Sequence, residues 1–507
     1  PTLSQPMLRL LFAAVAARAR ALGQEALACC WCDGSTPAAA RQTLSSEGVP
    51  HALVFSDEFA EPTRSFVNGR DAKWTALNLA DTTNLGQAFY LPEQAAVVTD
   101  ERDPAVSALR ILTVNKSHAG KTADGYDTVM PYRSAMLQSW NKFCFTGGIL
   151  EFRARMPRGI GFWPALWAFG NLGRAVHNPA NKGLWPWSYD ECDDDLRLAP
   201  TSPPQRISAC MDQDSDAVGL HPFQGRGATE IDVVEGAVPD SGGGGWGSSS
   251  VQVSPAVPPF FKPPQLGPFP WSPYSSPTAH GEGVWYTGLH FGRHGALNSG
   301  WYGPGWGSLC PGGCPDSLSG NQNVTEMAAR YHTYRLEWRT GDAGGVKWFY
   351  DDELFWGVDS EAFGAYANCS VRPGGRQECW RTPPRKVPQE PMSLVINTAI
   401  GTWVGGPHAI DHAPWPGEFF IDHVRVWQAE ENTGCDPPDF PTAKYIEANA
   451  ALYGEPVAPL GSATCPERYP QSAYDNANKI KSRALKLRGE AGSGEGGEGE
   501  GGGGEGG

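Results

Sequence analysis

Four stretches of this chain alternate apolar and polar residues one by one. Leu150, Phe152, Ala154 and Met156 interleave with Glu151, Arg153 and Arg155, and His332, Tyr334, Leu336 and Trp338 interleave with Thr333, Arg335 and Glu337. Val346, Trp348 and Tyr350 run into Asp351-Asp352, a pair suited to a hairpin turn. Phe420, Asp422, Val424 and Val426 alternate with Ile421, His423, Arg425 and Trp427. A repeat of two puts alternate side chains on opposite faces of an extended strand, whereas a helix repeats every 3.6 residues. The pattern recurs from about His51 to Trp427 with no long helical stretch between, which predicts an all-β sandwich. Turn-forming residues are plentiful, with 62 Gly and 44 Pro, as many short strands require.

Two regions interrupt the alternation, 171–226 and 238–325, both rich in Pro, Gly, Trp and Cys. Insertions of that size in a sandwich are expected at the rims of a binding face. Residues 1–50 are Ala/Arg-rich and then Ser/Gly-rich, and are expected to be signal-like or loosely ordered. Met7-Leu-Arg-Leu-Leu-Phe-Ala-Ala-Val-Ala-Ala fits two readings, a signal peptide and a short amphipathic helix. Residues 448–489 read as a C-terminal extension, and 490–507 as a disordered Gly/Glu tail.

The 12 cysteines are even in number, scattered, and form no zinc-spaced array, which suits disulfides in an oxidising compartment. Cys310 with Cys314 and Cys369 with Cys379 are local candidates; buried thiols are the other reading. Three N-glycosylation sequons, at Asn115, Asn323 and Asn368, agree with the secretory pathway, cell surface or endomembranes. No apolar run reaches the ~18 residues of a membrane span, so anchoring is expected only through residues preceding Pro1. The formal net charge of −15 offers no basic face for a nucleic acid.

The chemistry centres on Glu230-Ile231-Asp232-Val233-Val234-Glu235. On a regular strand Glu230 and Asp232 share a face, and Ile231 and Val233 face the core. Glu235, five positions from Glu230, then points the wrong way. One β-bulge near Val233-Val234 returns it to the acidic face. Three crowded carboxyls raise one another's pKa, which is how a site obtains one ionised nucleophile and one protonated acid. Five residues of strand span ~16 Å, while a retaining pair of carboxylates stands ~5–5.5 Å apart, so bulge and curvature must close the gap. Arg226-Gly-Ala-Thr precedes the motif. Trp163, Trp167, Trp185, Trp187, Trp285, Trp301, Trp306 and Trp403 crowd the chain around it, and aromatic faces suit the C–H face of a pyranose ring.

The acidic motif resembles that of glycoside hydrolase family 16. So do Phe55-Ser-Asp-Glu-Phe59, Thr146–Arg155, Gly161-Phe-Trp-Pro-Ala-Leu-Trp167, Tyr331–Trp338, Pro391–Asn397 and Ile421–Trp427, in that family's order. Cys435-Asp-Pro-Pro-Asp-Phe-Pro-Thr and the Cys-rich insertions are similar to the fungal β-1,6-glucan synthesis-associated proteins. The resemblance covers about 51–447. It implies a concanavalin-like jelly roll with a substrate cleft on its concave face. It implies Glu230 as nucleophile, Glu235 as acid/base, and Asp232 tuning the nucleophile. Trp163, Trp167, Gln252 and Trp403 would bind sugar. Many relatives hold a structural calcium on the convex side, which Asp422 and Glu58 match; no cofactor is expected in catalysis. The expected activity is that of a retaining glycosidase or transglycosylase in β-glucan synthesis and wall or storage-glucan remodelling. The alternatives are a secreted endo-β-glucanase and a non-catalytic glucan-binding lectin on the same fold.

Overall fold

The structure is a computed structural model, and it describes residues 29–193, 204–213, 217–238, 245–255, 288–297, 316–324, 326–371, 374–401, 404, 408–457 and 465–494. Two large antiparallel sheets pack face to face. One contains the alternating stretches found in the sequence. Gly148–Arg155 lies between His332–Arg339 and Gly417–Gln428, with Leu150 opposite Leu336 on one side and Val426 on the other. Their inward residues, Leu150, Phe152, Leu336, Val424 and Val426, are fully buried in one core. Gly345–Tyr350 and Glu353–Asp359 extend this sheet through a two-residue turn at Asp351-Asp352, where φ is 45° and 67°. Two successive left-handed residues give the turn type whose twist matches a hairpin.

The second sheet carries the acidic motif. Its principal strands are β1 (Met136–Gln138), β2 (Phe162–Gly170), β3 (Glu230–Ala237), β4 (Gly245–Val253), β5 (Asp316–Val324) and β6 (Met392–Ile400). In space they run β5-β4-β3-β2-β6-β1, so the catalytic candidate β3 is central. On β2, Leu166 and Ala168 face the core between the sheets, while Trp163, Ala165, Trp167 and Phe169 face outward. β6 is buried along its whole length. Leu394 and Ile396 meet the central core, whereas Val395 meets a second apolar cluster that includes Tyr90, Trp140, Leu172 and Tyr453. That cluster covers part of the outer face and leaves the rest as a cleft.

Several expectations change here. Residues 29–50 belong to the ordered body: Ala38–Arg41 form a 3-10 turn and Gln42–Leu44 pairs with Pro50–Asp57. Cys29 pairs with Cys32 and Cys30 with Cys465, so the start of the described chain is tied to its C-terminal extension. Cys144–Cys435 and Cys192–Cys210 are further bridges. Cys369 stands in register opposite Cys379, which is disulfide-bonded; Cys310 and Cys314 lie outside the described residues. Region 238–325 is more than an insertion, since it supplies β4 and β5. The extension forms a helix over Gln471–Gly494, so the first residues of the tail expected to be disordered are helical. Among the described residues no helix is long and apolar enough to cross a membrane.

Candidate active site

The bulge lies within the acidic motif. Asp232 pairs with Ser250 and Glu235 with Ser248, so Val233 and Val234 together oppose the single residue Ser249. Both valines turn into the core, and Glu230, Asp232 and Glu235 emerge on the cleft face. A bulge breaks ladder hydrogen bonds, and two side chains take up the freed carbonyls. Trp348, reaching across from the other sheet, donates Nε1–H to the Asp232 carbonyl at 2.8 Å, and Ser249 Oγ donates to the Val233 carbonyl at 2.6 Å. Trp348 is fully buried and stacked on Trp356, with centroids 4.4 Å apart.

Each glutamate is held by an indole. Trp163 Nε1 donates to Glu235 Oε1 at 2.7 Å, and Trp185 Nε1 donates to Glu230 Oε2 at 2.6 Å. Gln252 Nε2 lies 3.1 Å from both Glu230 Oε1 and Asp232 Oδ2, and Ser250 donates its hydroxyl to Asp232. Trp167 donates to Asn397 Oδ1 at 2.8 Å, and Asn397 donates to the Tyr90 hydroxyl at 3.4 Å. All of these except Gln252 and Ser250 line a cavity of about 300 Å³. Trp403 lies outside the described residues, as do Trp285, Trp301 and Trp306. Trp187 is a core residue packed on Tyr189 rather than a cleft wall. Trp185 grips the nucleophile candidate itself, a role the sequence did not reveal. Ser249, Ser250 and Trp348 were likewise missed, because nothing in a Ser run or an alternating strand marks contact with the bulge.

Burial, then the charges of Asp232 and Glu235, push Glu230 well above the ordinary carboxylate range. Burial and the Asp232 charge do the same to Glu235. Burial also raises Asp232, opposed by hydrogen bonds from Ser250, Gln252 and Glu230. Hydrogen-bond donors are most numerous on the Glu230–Asp232 pair, which favours ionisation there over Glu235. Glu235 accepts from Trp163, and its raised pKa favours the protonated form.

This raised state has a measurable sign. A carboxyl whose folded pKa exceeds its unfolded value favours folding at low pH, and that contribution is lost as pH rises through the folded pKa. Glu235→Gln removes the cost of keeping this buried carboxyl protonated at a pH where the unfolded chain would ionise it. The variant should melt a few degrees above the unmodified protein at pH 7–8, with the gap closing near pH 4, in thermal scans across that range. A variant that melts lower at every pH would contradict the assignment.

The expected calcium position does not suit a dication. Asp422 accepts from Arg153 at 2.6 Å and from His423 at 3.2 Å, and Glu58 pairs with Arg425 through both oxygens at 2.9 and 2.8 Å. Guanidinium groups hold Asp422 Oδ2 and both oxygens of Glu58, and among the described residues no cluster of three or more His, Cys, Asp or Glu could hold a metal ion.

The fold and site together define an antiparallel jelly roll with a bulged three-carboxylate strand beneath an aromatic cleft. The chain belongs to the beta-glucan synthesis-associated protein SKN1/KRE6/Sbg1 family, whose family model matches residues 21–261 and 317–460. It is 30% identical over 446 residues to beta-glucan synthesis-associated protein SKN1 of Saccharomyces cerevisiae, covering 83% of this chain and 49% of that protein. It is 31% identical over 451 residues to the SKN1 protein of Candida albicans, covering 83% and 51% respectively. The chain thus spans about half the length of these relatives. Among solved structures, the catalytic domain of an endo-1,3-beta-glucanase (laminarinase) from Thermotoga petrophila aligns over 75% of this chain and 98% of its own, with 18% identity and a TM-score of 0.41.

Proposed function

We propose that this chain is a retaining β-glucan transglycosylase that remodels or branches glucan in the secretory pathway or at the cell surface. The observation that carries the reading is the carboxyl trio on the bulged strand, with a separate indole donor on each glutamate. Glu230 attacks the anomeric carbon and forms a glycosyl-ester bond as the C1–O bond to the leaving sugar breaks. Asp232 takes up the proton it shares with Glu230, and Glu235 gives its proton to the leaving oxygen. In the second half, Glu235 removes a proton from an acceptor hydroxyl, whose oxygen attacks C1 and frees Glu230. A water acceptor gives hydrolysis; a sugar acceptor gives transfer. Trp163 and Trp185 line the cleft beside the trio, and an acceptor held against them competes with water through effective concentration.

Incubation with a β-1,3-gluco-oligosaccharide should yield longer or branched products before reducing ends accumulate. Release of reducing ends alone, at every acceptor concentration, would make the chain a hydrolase and defeat the transfer reading.

A further inference from the structure

From β3 the candidate cleft crosses β2 and β6 and reaches Met136 on β1, where the turn Asp81–Asn84 also lines it. The turn is firmly fixed. Asp81 is only 3% exposed. Its Oδ1 accepts from the Thr83 amide at 2.9 Å and the Thr83 hydroxyl at 2.6 Å, and its Oδ2 accepts from the Tyr90 hydroxyl at 2.7 Å. Asn84 and Leu85 are both left-handed, with φ of 49° and 59°. Gly86 follows, where a Cβ would sit 2.7 Å from the Asp81 carbonyl oxygen, so no other residue fits there without movement. Gly86 bridges to Gly401, and the Gln87 amide donates to the Ile400 carbonyl at 3.0 Å. The turn is thereby fastened to the end of β6, the strand that forms the cleft floor. Through Tyr90 and Asn397 it is also hydrogen-bonded to Trp167.

The flank beside Glu230 is fixed as well. Val176 and Asn181 line it, and the segment after the jelly roll braces it: Tyr453 donates its hydroxyl to the Leu172 carbonyl at 2.6 Å, and Arg174 donates to the Glu455 carbonyl at 2.7 Å. A polymer threading through the cleft would have to leave over the β1 side, past Asp81–Asn84. A chain that stops there needs no exit, and the exposed polar side chains of Thr82 and Asn84 line that part of the cleft where its last hydroxyls would lie.

We infer that the cleft is blind on its β1 side and receives the free end of a β-glucan chain rather than an internal stretch, so that the reacting bond lies a fixed number of sugars from that end. The inference rests on the glucan reading above.

Two measurements test it. In the first, the Glu230→Gln chain is titrated calorimetrically with linear β-1,3-gluco-oligosaccharides of increasing length and with a cyclic β-glucan, which has no ends. Linear ligands should bind with an affinity that levels off after the first few sugars, and the cyclic glucan at least about ten-fold more weakly, a gap of ~1.4 kcal/mol. Equal affinity for the cyclic ligand overturns the blind end and leaves the glucan reading standing; no binding of any linear glucan overturns both. In the second, the unmodified chain acts briefly on a long linear β-1,3-glucan. A single early size of released or transferred unit is expected, and replacing Thr82–Leu85 with two glycines should turn it into a ladder. A ladder from the unmodified chain would overturn the inference, whether or not the shortened variant folds.

Discussion

Glu235→Gln should reduce turnover on an unactivated glucan by on the order of 10²–10⁴-fold, the usual contribution of a positioned general acid. Glu230→Gln should cost at least as much, since it removes the covalent route. The two losses differ in kind. An aryl glucoside with a good leaving group needs little protonation, so Glu235→Ala should recover much of its first-step rate on such a donor while Glu230→Ala should not. Added azide should separate them further. In Glu235→Ala it intercepts the glycosyl-enzyme and gives a product of retained configuration. In Glu230→Ala it replaces the missing nucleophile and gives the inverted product. Asp232→Asn should act less severely, because Asp232 takes up a shared proton rather than bonding to carbon. Near-normal turnover by either glutamine variant would remove Glu230 and Glu235 from the chemistry.

Arg226→Ala should destabilise the fold by about 3–5 kcal/mol, the range for breaking one side of a buried ion pair. Arg226 has a fully buried side chain and meets Glu390, 6% exposed, through two bonds of 2.7 Å. It also donates to the Pro441 carbonyl at 2.9 Å, and its guanidinium lies over the Phe440 ring. Arg226 therefore ties the entry to β3 to the start of β6 through Glu390, and to the segment that follows the jelly roll through Pro441 and Phe440. Without Arg226 the carboxylate is left buried and without its cation. The double variant Arg226→Met/Glu390→Met exchanges the pair for apolar volume and should regain most of the loss in urea denaturation. If Arg226→Ala alone unfolds at the unmodified midpoint, the pair is not a structural anchor.

The sequence shows some of this directly. The bulge follows from counting residues: Glu235 reaches the acidic face only if one position is surplus, and Val233-Val234 is where the ladder slips. The outward tryptophans of Phe-Trp-Pro-Ala-Leu-Trp follow from the same period of two. β4 and β5 escaped notice because Gly-Trp-Gly-Ser-Ser-Ser and Ser-Leu-Ser-Gly-Asn-Gln-Asn show no apolar alternation. Their outward face serves a polar site, and their inward face is cut back to make room. At Gly320 a Cβ would lie 2.5 Å from the Trp356 ring, so the strand carries glycine where a pattern search expects a large apolar residue.

What the sequence by itself determined is what neighbouring residues decide: the all-β class, the strand phases, the hairpin at Asp351-Asp352 and three carboxyls on one face. These are properties of a few consecutive dihedrals and of side-chain polarity. Only the tertiary structure decided which distant groups meet them. Trp185 reaches Glu230 across 45 positions, Trp348 satisfies the Asp232 carbonyl across 116, and Cys30 joins Cys465 across 435. It decided too that Arg153 and Arg425 meet Asp422 and Glu58, and that Asp81–Asn84 line the cleft beside Met136. Such contacts depend on how two sheets and their loops pack. Local polarity and period do not encode that choice, because a tryptophan or an aspartate that fits the core, a cleft wall or an ion pair looks the same in the chain.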